Sequence, residues 1–244
     1  MWSFDQIADL FADSIVRENN LRRAENAVLG IDALDETQIQ PTLADAVIHA
    51  GLGVIREHPF PTPTRKHPKE SERLRCDLVI LEHPDQLLID PVETDRRRNE
   101  LLGTLFEPVA EQAATTPGIR PEHALWIELK VCGQYEYHAG VPVPNPSYTA
   151  QLVTGPAKDI RKLSKEPAID NAAAGIILFA ESEDIARHDL ALAVHKWLDR
   201  DLPIRSPTIR IVPIDERIGN TVAAVCLTPI KPKLNAIHPT DAGE

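Results

Sequence analysis

Residues 123 to 133 read HALWIELKVCG, an apolar stretch that carries one acid and one base two positions apart. Successive side chains leave a pleated strand on opposite sides, so Leu125, Ile127, Leu129 and Val131 share one face and Trp126, Glu128 and Lys130 share the other. The first face is core. The second sets a carboxylate and an ammonium about 6–7 Å apart along the backbone, and burying either one is costly unless it is paired or coordinates a metal.

The same pattern reading covers the rest of the chain. Phe4, Ile7, Ala8, Leu10, Phe11 and Ile15 recur at helical spacing, and the segment from Leu21 continues that helix after a break. A second helix is predicted to begin at Pro41, a residue the first turn tolerates, with Leu43, Ala46, Val47 and Ala50 on one stripe and Gly51 and Gly53 closing it. VIREHPF predicts a strand, PTPTRKHPKESER a loop, and LRCDLVILEH a second strand. A short strand follows at QLLID, then a helix over 93–114, then the strand of the opening stretch. CGQYEYHAGVPVPNPS predicts a loop, YTAQLVT a turn or two of helix, and Pro156 the start of another helix. AGIILFA reads as a fully apolar strand, SEDIARHDLALAVHKWLDR as an amphipathic helix, and TIRIVPID and TVAAVCL as closing strands. Strands interleaved with helices favour α/β layers, here a mixed sheet flanked by helices with N-terminal helices and extra C-terminal strands. Residues 1–40 are expected to be a helical extension, 41–230 the main domain and 231–244 a tail.

Composition narrows the chemistry. At 244 residues and 43% hydrophobic, the chain can build one good-sized core. No apolar run approaches the roughly 20 residues that span a bilayer, and MWSFDQIADLF lacks the basic-then-apolar build of a signal peptide, so a soluble, cytoplasmic protein without membrane attachment is expected. Cys76, Cys132 and Cys226 are few, odd in number and scattered through strands, which predicts buried thiols rather than disulfides or a zinc site. A net charge of -11 repels polyanions at long range, so nucleic-acid binding would rest on local basic patches. Two exist: Lys158, Arg161, Lys162 and Lys165 at helical spacing, and Arg65, Lys66, Lys69, Arg73 and Arg75 in and after the Pro-rich loop. Each reads equally as a solvated surface. No Gly-rich phosphate loop appears, so no use of ATP is expected.

In RCDLVIL, Cys76, Leu78 and Ile80 alternate away from Asp77. If this strand pairs with the Glu128 strand, Asp77, Glu128 and Lys130 meet at one place. Two close carboxylates repel, and a hard divalent cation such as magnesium relieves the repulsion through oxygen ligation. A lysine beside it can hold or deprotonate the attacking water, or offset charge growing on a phosphate. The alternative is a Glu–Lys pair on a solvated edge strand.

Asp, a variable gap and Glu-x-Lys on an adjacent strand, within a helix-strand-strand-strand-helix-strand core over about 41 to 180, resembles the PD-(D/E)xK nuclease superfamily, the restriction-endonuclease-like fold. The resemblance implies a magnesium- or manganese-dependent endonuclease, with DNA the expected substrate and RNA the less common one. It implies Asp77, Glu128 and the Leu129 carbonyl as metal ligands and Lys130 as the residue serving the attacking water. It also implies a further acid from the helix before the first strand, Asp45 or else Glu36, and a polar or basic residue on the helix after the Glu-x-Lys strand, Gln151 or Lys158. Cys76 stands where the motif has proline, and Glu128 lies 51 positions after Asp77, leaving Asp90 as the other candidate for the metal aspartate. Double-strand cuts need two sites, so a homodimer or larger complex is expected. The competing reading is a non-catalytic nuclease-fold module that binds a protein or nucleic acid within an assembly.

Overall fold

The computed structural model describes residues 2–62, 73–104 and 118–231. A six-stranded mixed sheet lies between two helical layers. In chain order the elements are α1 (Phe4–Ala24), α2 (Glu36–His49), β1 (Gly53–Pro59), β2 (Arg75–Leu81), α3 (Pro91–Leu101), β3 (Leu125–Gly133), β4 (Tyr135–His138), β5 (Val141–Pro144), α4 (Gly155–Lys165), β6 (Asn171–Ala180), α5 (Glu183–Leu198), β7 (Thr208–Pro213) and β8 (Val222–Pro229). The sheet order is β1-β2-β3-β6-β8-β7, antiparallel throughout except for the parallel β3/β6 pair. That one parallel pair needs a crossover, and α4 supplies it.

The central strands β3 and β6 have a helical layer on each face, which is why AGIILFA is apolar without alternation. On one face Ala157, Ile160 and Leu163 of α4 and Ala186, Leu190, Ala193 and Trp197 of α5 cover Trp126, Ile176 and Leu178. On the other, Ile7, Phe11 and Ile15 of α1 and Ile39, Leu43 and Val47 of α2 cover Leu125, Ile127, Leu129 and Ile177. The N-terminal helix is therefore part of one core layer, packed on α2, β7 and β8. Gly175 of β6 leaves room for this side of the sheet: a Cβ there would lie 3.2 Å from Ile127 Cγ2 and 3.3 Å from Leu129 Cδ1. The three cysteines are free and buried. Among the described residues no helix is long and apolar enough to cross a membrane.

Several expectations need correction. Helix α2 starts at Glu36, not Pro41, because Asp35 closes a capping box: its side chain accepts from Gln38 N at 2.9 Å and its own N–H donates to Gln38 Oε1 at 3.0 Å. Pro41 consequently lies inside the helix. Asp35→Ala is expected to lower stability by about 1–2 kcal/mol, measured by urea unfolding, since one substitution removes half of the box. QLLID is not a strand; Leu88 makes only an isolated bridge to Ile119. The predicted loop after β3 contains the β4–β5 hairpin, whose two-residue turn has positive φ at both Ala139 and Gly140, the geometry a tight hairpin requires even though Ala-Gly is not its usual sequence. The strands after residue 205 complete this chain's own sheet through β8, with β7 at the edge. The helix predicted over 93–114 is α3 over Pro91–Leu101 and gives way to a turn at 102–104; residues 105–114 of the prediction lie outside the described residues.

Candidate active site

The site forms where the sheet opens. Strands β2 and β3 pair from Ile80↔Leu125 to Leu78↔Ile127 and no further, one step short of setting Asp77 opposite Glu128. At the gap, side chain replaces ladder: Asp77 Oδ2 accepts the N–H of Leu129 at 2.6 Å. The Asp77 carbonyl is held by Gln40 of α2, whose Nε2 donates to it at 2.8 Å and to Glu57 Oε1 at 2.9 Å. Arg56 Nε donates to Gln40 Oε1 at 3.0 Å, fixing the amide. Glu57 itself sits at φ +52°, and the β1/β2 register skips the Glu57/Asp77 step. The expected alternation also breaks there. Leu78 and Ile80 pack on the α1/α2 side, whereas Cys76 joins Val79 and Leu81 in the opposite core, so Cys76 does not share the Leu78 face.

Lys130 lies at the mouth of this opening. Its Nζ donates to the Leu129 carbonyl at 2.8 Å and to Glu36 Oε1 and Oε2 at 3.2 and 3.1 Å, with Asp159 Oδ2 at 3.6 Å. Glu36 comes from the first residue of α2 and Asp159 from α4, so the two helical layers meet the strand from opposite sides. Burial alone would lower the Lys130 ammonium, but Glu36, Asp159 and Asp77 together lift it above its ordinary value. Lys130 is therefore a fixed positive charge at neutral pH. Burial raises the carboxyls of Glu36 and Asp159, an effect Lys130 opposes.

Glu128 is 4% exposed and touches Lys162 Nζ of α4. Despite that cation, burial first and then the Asp77 charge push its carboxyl up to about 8. Desolvation wins here because one ammonium, itself partly wet, returns less than a water shell does. Glu128 Oε1 and Asp159 Oδ2 are both buried without an aligned hydrogen-bond partner among the described residues.

Of the residues predicted for the site, Asp77, Glu128, Leu129 and Lys130 come together. Asp45 does not. It is exposed on α2 and lines a groove against α1 with Arg17, Glu18 and His49, because its place in the helical repeat puts it on the face opposite Glu36, the residue that reaches Lys130. Asp90 is engaged elsewhere: it caps α3, accepting from Val92 N at 3.0 Å, and pairs with Arg73 at 2.5 and 3.0 Å. The basic stripe of α4 is split, with Lys162 turned to Glu128 while Lys158 and Arg161 are exposed. Gln151, in the short π-helical turn before α4, accepts from Asn145 Nδ2 at 2.8 Å. Arg65 and Lys66 lie outside the described residues. Sequence reasoning missed Gln40 and Asp159; the signal for Asp159 was a single acid three positions before Lys162 in an otherwise basic helix.

Asp77, Glu128 and the Leu129 carbonyl are hard oxygen donors, a set whose chemistry fits magnesium or manganese, with Lys162 Nζ standing against Glu128 Oε1 where an ion would bind. Among the described residues no three acid, histidine or cysteine side chains stand close enough to hold an ion by themselves, which leaves the backbone carbonyl and solvent to complete the shell. The chain matches no family model, no curated protein and no solved structure.

Proposed function

We propose that the chain is a nuclease of the PD-(D/E)xK type, a magnesium- or manganese-dependent hydrolase of phosphodiester bonds in DNA. The observation that carries this reading is the meeting of Asp77, Glu128 and Lys130 at the gap where β2 and β3 part. The order α2, β1, β2, β3, α4, β6, with α3 and the β4–β5 hairpin as insertions, supports a restriction-endonuclease-like core.

Asp77, Glu128 and the Leu129 carbonyl would hold the ion, which when bound would acidify a water and draw charge from the phosphate. Lys130 would offset charge building on the phosphate oxygens and orient the attacking water. Glu36 and Asp159 aim Lys130, and Gln40 holds the strand carrying Asp77, so these three are positioning residues. Lys158 and Arg161, exposed on α4, are available to DNA phosphates.

Incubation of the protein with plasmid and linear DNA in magnesium or manganese tests the reading, with Asp77→Asn as control. Asparagine can still accept from Leu129 N, so the fold should hold while cleavage drops at least about 100-fold. Equal cleavage by both proteins would trace the activity to a contaminant or another site.

One contact favours the non-catalytic module instead: Lys162 already puts a cation against Glu128. Calorimetric titration with manganese separates the readings. The nuclease binds the ion and loses that binding in Glu128→Ala, whereas the module shows no binding in either protein.

A further inference from the structure

Lys162 and a divalent ion have claims on one carboxylate. The Lys162 ammonium touches Glu128 Oε1, with the lysine side chain 29% and the glutamate side chain 4% exposed. An ion held by Asp77, Glu128 and the Leu129 carbonyl would bring two more positive charges to that place, and an ammonium and a dication on one buried acid repel. The two lysines of the site differ in how they are held. Lys130 is tied by the Leu129 carbonyl, Glu36 and Asp159 together. The Lys162 ammonium meets Glu128 and faces the Phe60 ring, 4.8 Å from its centroid, a softer hold on a flexible four-carbon stem. Lys162 also lines a cavity of about 220 Å³, room for an ammonium and several waters at about 30 Å³ each. Glu166, four positions on and the C-cap of α4, lines the same cavity, and its carboxylate accepts from Thr62. Side chains four apart on a helix are neighbours, so Glu166 is a second carboxylate within the sweep of Lys162. Lys165 and Arg73 line the cavity too, Arg73 with its charge already matched by Asp90.

We propose that Lys162 sets the metal affinity of the site: its ammonium holds Glu128 until a divalent ion displaces it, and it then swings into the cavity toward Glu166. The inference rests on the nuclease reading for the ion itself and adds to it an exchange of cations at Glu128. It also gives the Lys162–Glu128 contact a place within a catalytic site rather than in an inert module. A buried carboxylate stripped of its cation is costly, so the ammonium stays until another cation takes over. That hold is subtracted from the binding of the ion, whose apparent dissociation constant is the intrinsic one divided by the fraction of molecules with Glu128 open to it. Lys162 acts through Glu128 and is a positioning residue.

The test is calorimetric titration of the full chain with manganese chloride across a cycle of wild type, Lys162→Met, Glu166→Gln and the double variant. Methionine keeps most of the stem without the charge, and glutamine can still accept from Thr62. Lys162→Met is expected to bind manganese about tenfold more tightly, the gain from removing a contact closed in about nine molecules of ten. Glu166→Gln alone is expected to bind it about threefold more weakly, because the released ammonium loses its receiving charge, and to have no effect in the Lys162→Met background. That last comparison separates displacement from a general change of field, which would make Glu166→Gln equally harmful in both backgrounds. Should Lys162→Met fail to fold, Lys162→Gln takes its place in the cycle. Binding in Lys162→Met that equals the wild type or is weaker overturns the inference and leaves the nuclease reading standing, since the ion then uses Glu128 with Lys162 still in place. Equal effects of Glu166→Gln in the two backgrounds overturn it as well. Manganese binding by none of the four proteins sinks the inference and the metal-dependent reading together.

Discussion

Glu128→Gln is expected to lose about 10³-fold or more in DNA cleavage and, in metal-free buffer at pH 9, to be the more stable protein. The two effects have one cause. Glu128 is buried beside Asp77, and its carboxyl titrates near 8 in the fold against an ordinary 4.5. Between those values the native state holds a proton that the unfolded chain has released, so native stability falls with each step up in pH and the loss is complete above about 8. A shift of this size corresponds to about 3–5 kcal/mol across the window. Glutamine keeps the shape and hydrogen-bonding capacity without the charge, so the variant escapes that loss while giving up the ligand. Glu36, Asp159 and Asp32 are also raised and tilt both proteins the same way, which makes the difference between the two pH profiles the quantity to read. Urea unfolding of both proteins from pH 5 to pH 9 in EDTA measures it. Parallel profiles would show that Glu128 carries no such strain.

That strain was visible in the opening stretch. An acid and a base on one face of an otherwise apolar strand have few explanations, and alternation placed Glu128 and Lys130 on the Trp126 side, as the fold does. The apolar run of β6 likewise revealed a strand buried on both faces. What stayed hidden was decided partly by local caps that the pattern reading passed over and partly by long-range partners. Pro41 suggested a helix start, whereas Asp35 and Gln38 cap the helix at Glu36, which places Glu36 in the first turn and against Lys130 while Asp45 lies on the opposite face. Asp90 stood as the other candidate because of the long gap between Asp77 and Glu128, and that reasoning passed over the Val92 and Glu93 amides that claim its oxygen. The alternation around Asp77 gives no hint that Cys76 changes sides, because the break follows from Glu57 at positive φ and from a helix amide filling in for the ladder. Asp159 was masked by its basic neighbours; only packing of Ala157, Ile160 and Leu163 onto the sheet reveals which edge of α4 faces Lys130.

Lys130→Met is expected to lower cleavage about 10²- to 10³-fold and to destabilise the fold by about 1–3 kcal/mol. The stability term arises because two half-buried carboxylates, Glu36 and Asp159, lose the cation between them, and it is smaller than for a fully buried pair because Lys130 and Glu36 remain 28% and 32% exposed. Methionine preserves the stem that packs near Gly155, so lost charge rather than lost volume is measured. Adding Glu36→Gln removes one stranded carboxylate and should restore most of the lost stability without restoring cleavage. A positioning acid and a group acting on the phosphate differ in this respect: relieving the first cannot replace the second. Chemical denaturation and plasmid cleavage on both single variants and the double variant form the cycle. If Glu36→Gln returns cleavage along with stability, Lys130 serves only to neutralise Glu36, and the charge beside the scissile phosphate must come from elsewhere, with Lys162 the nearest alternative through its contact with Glu128.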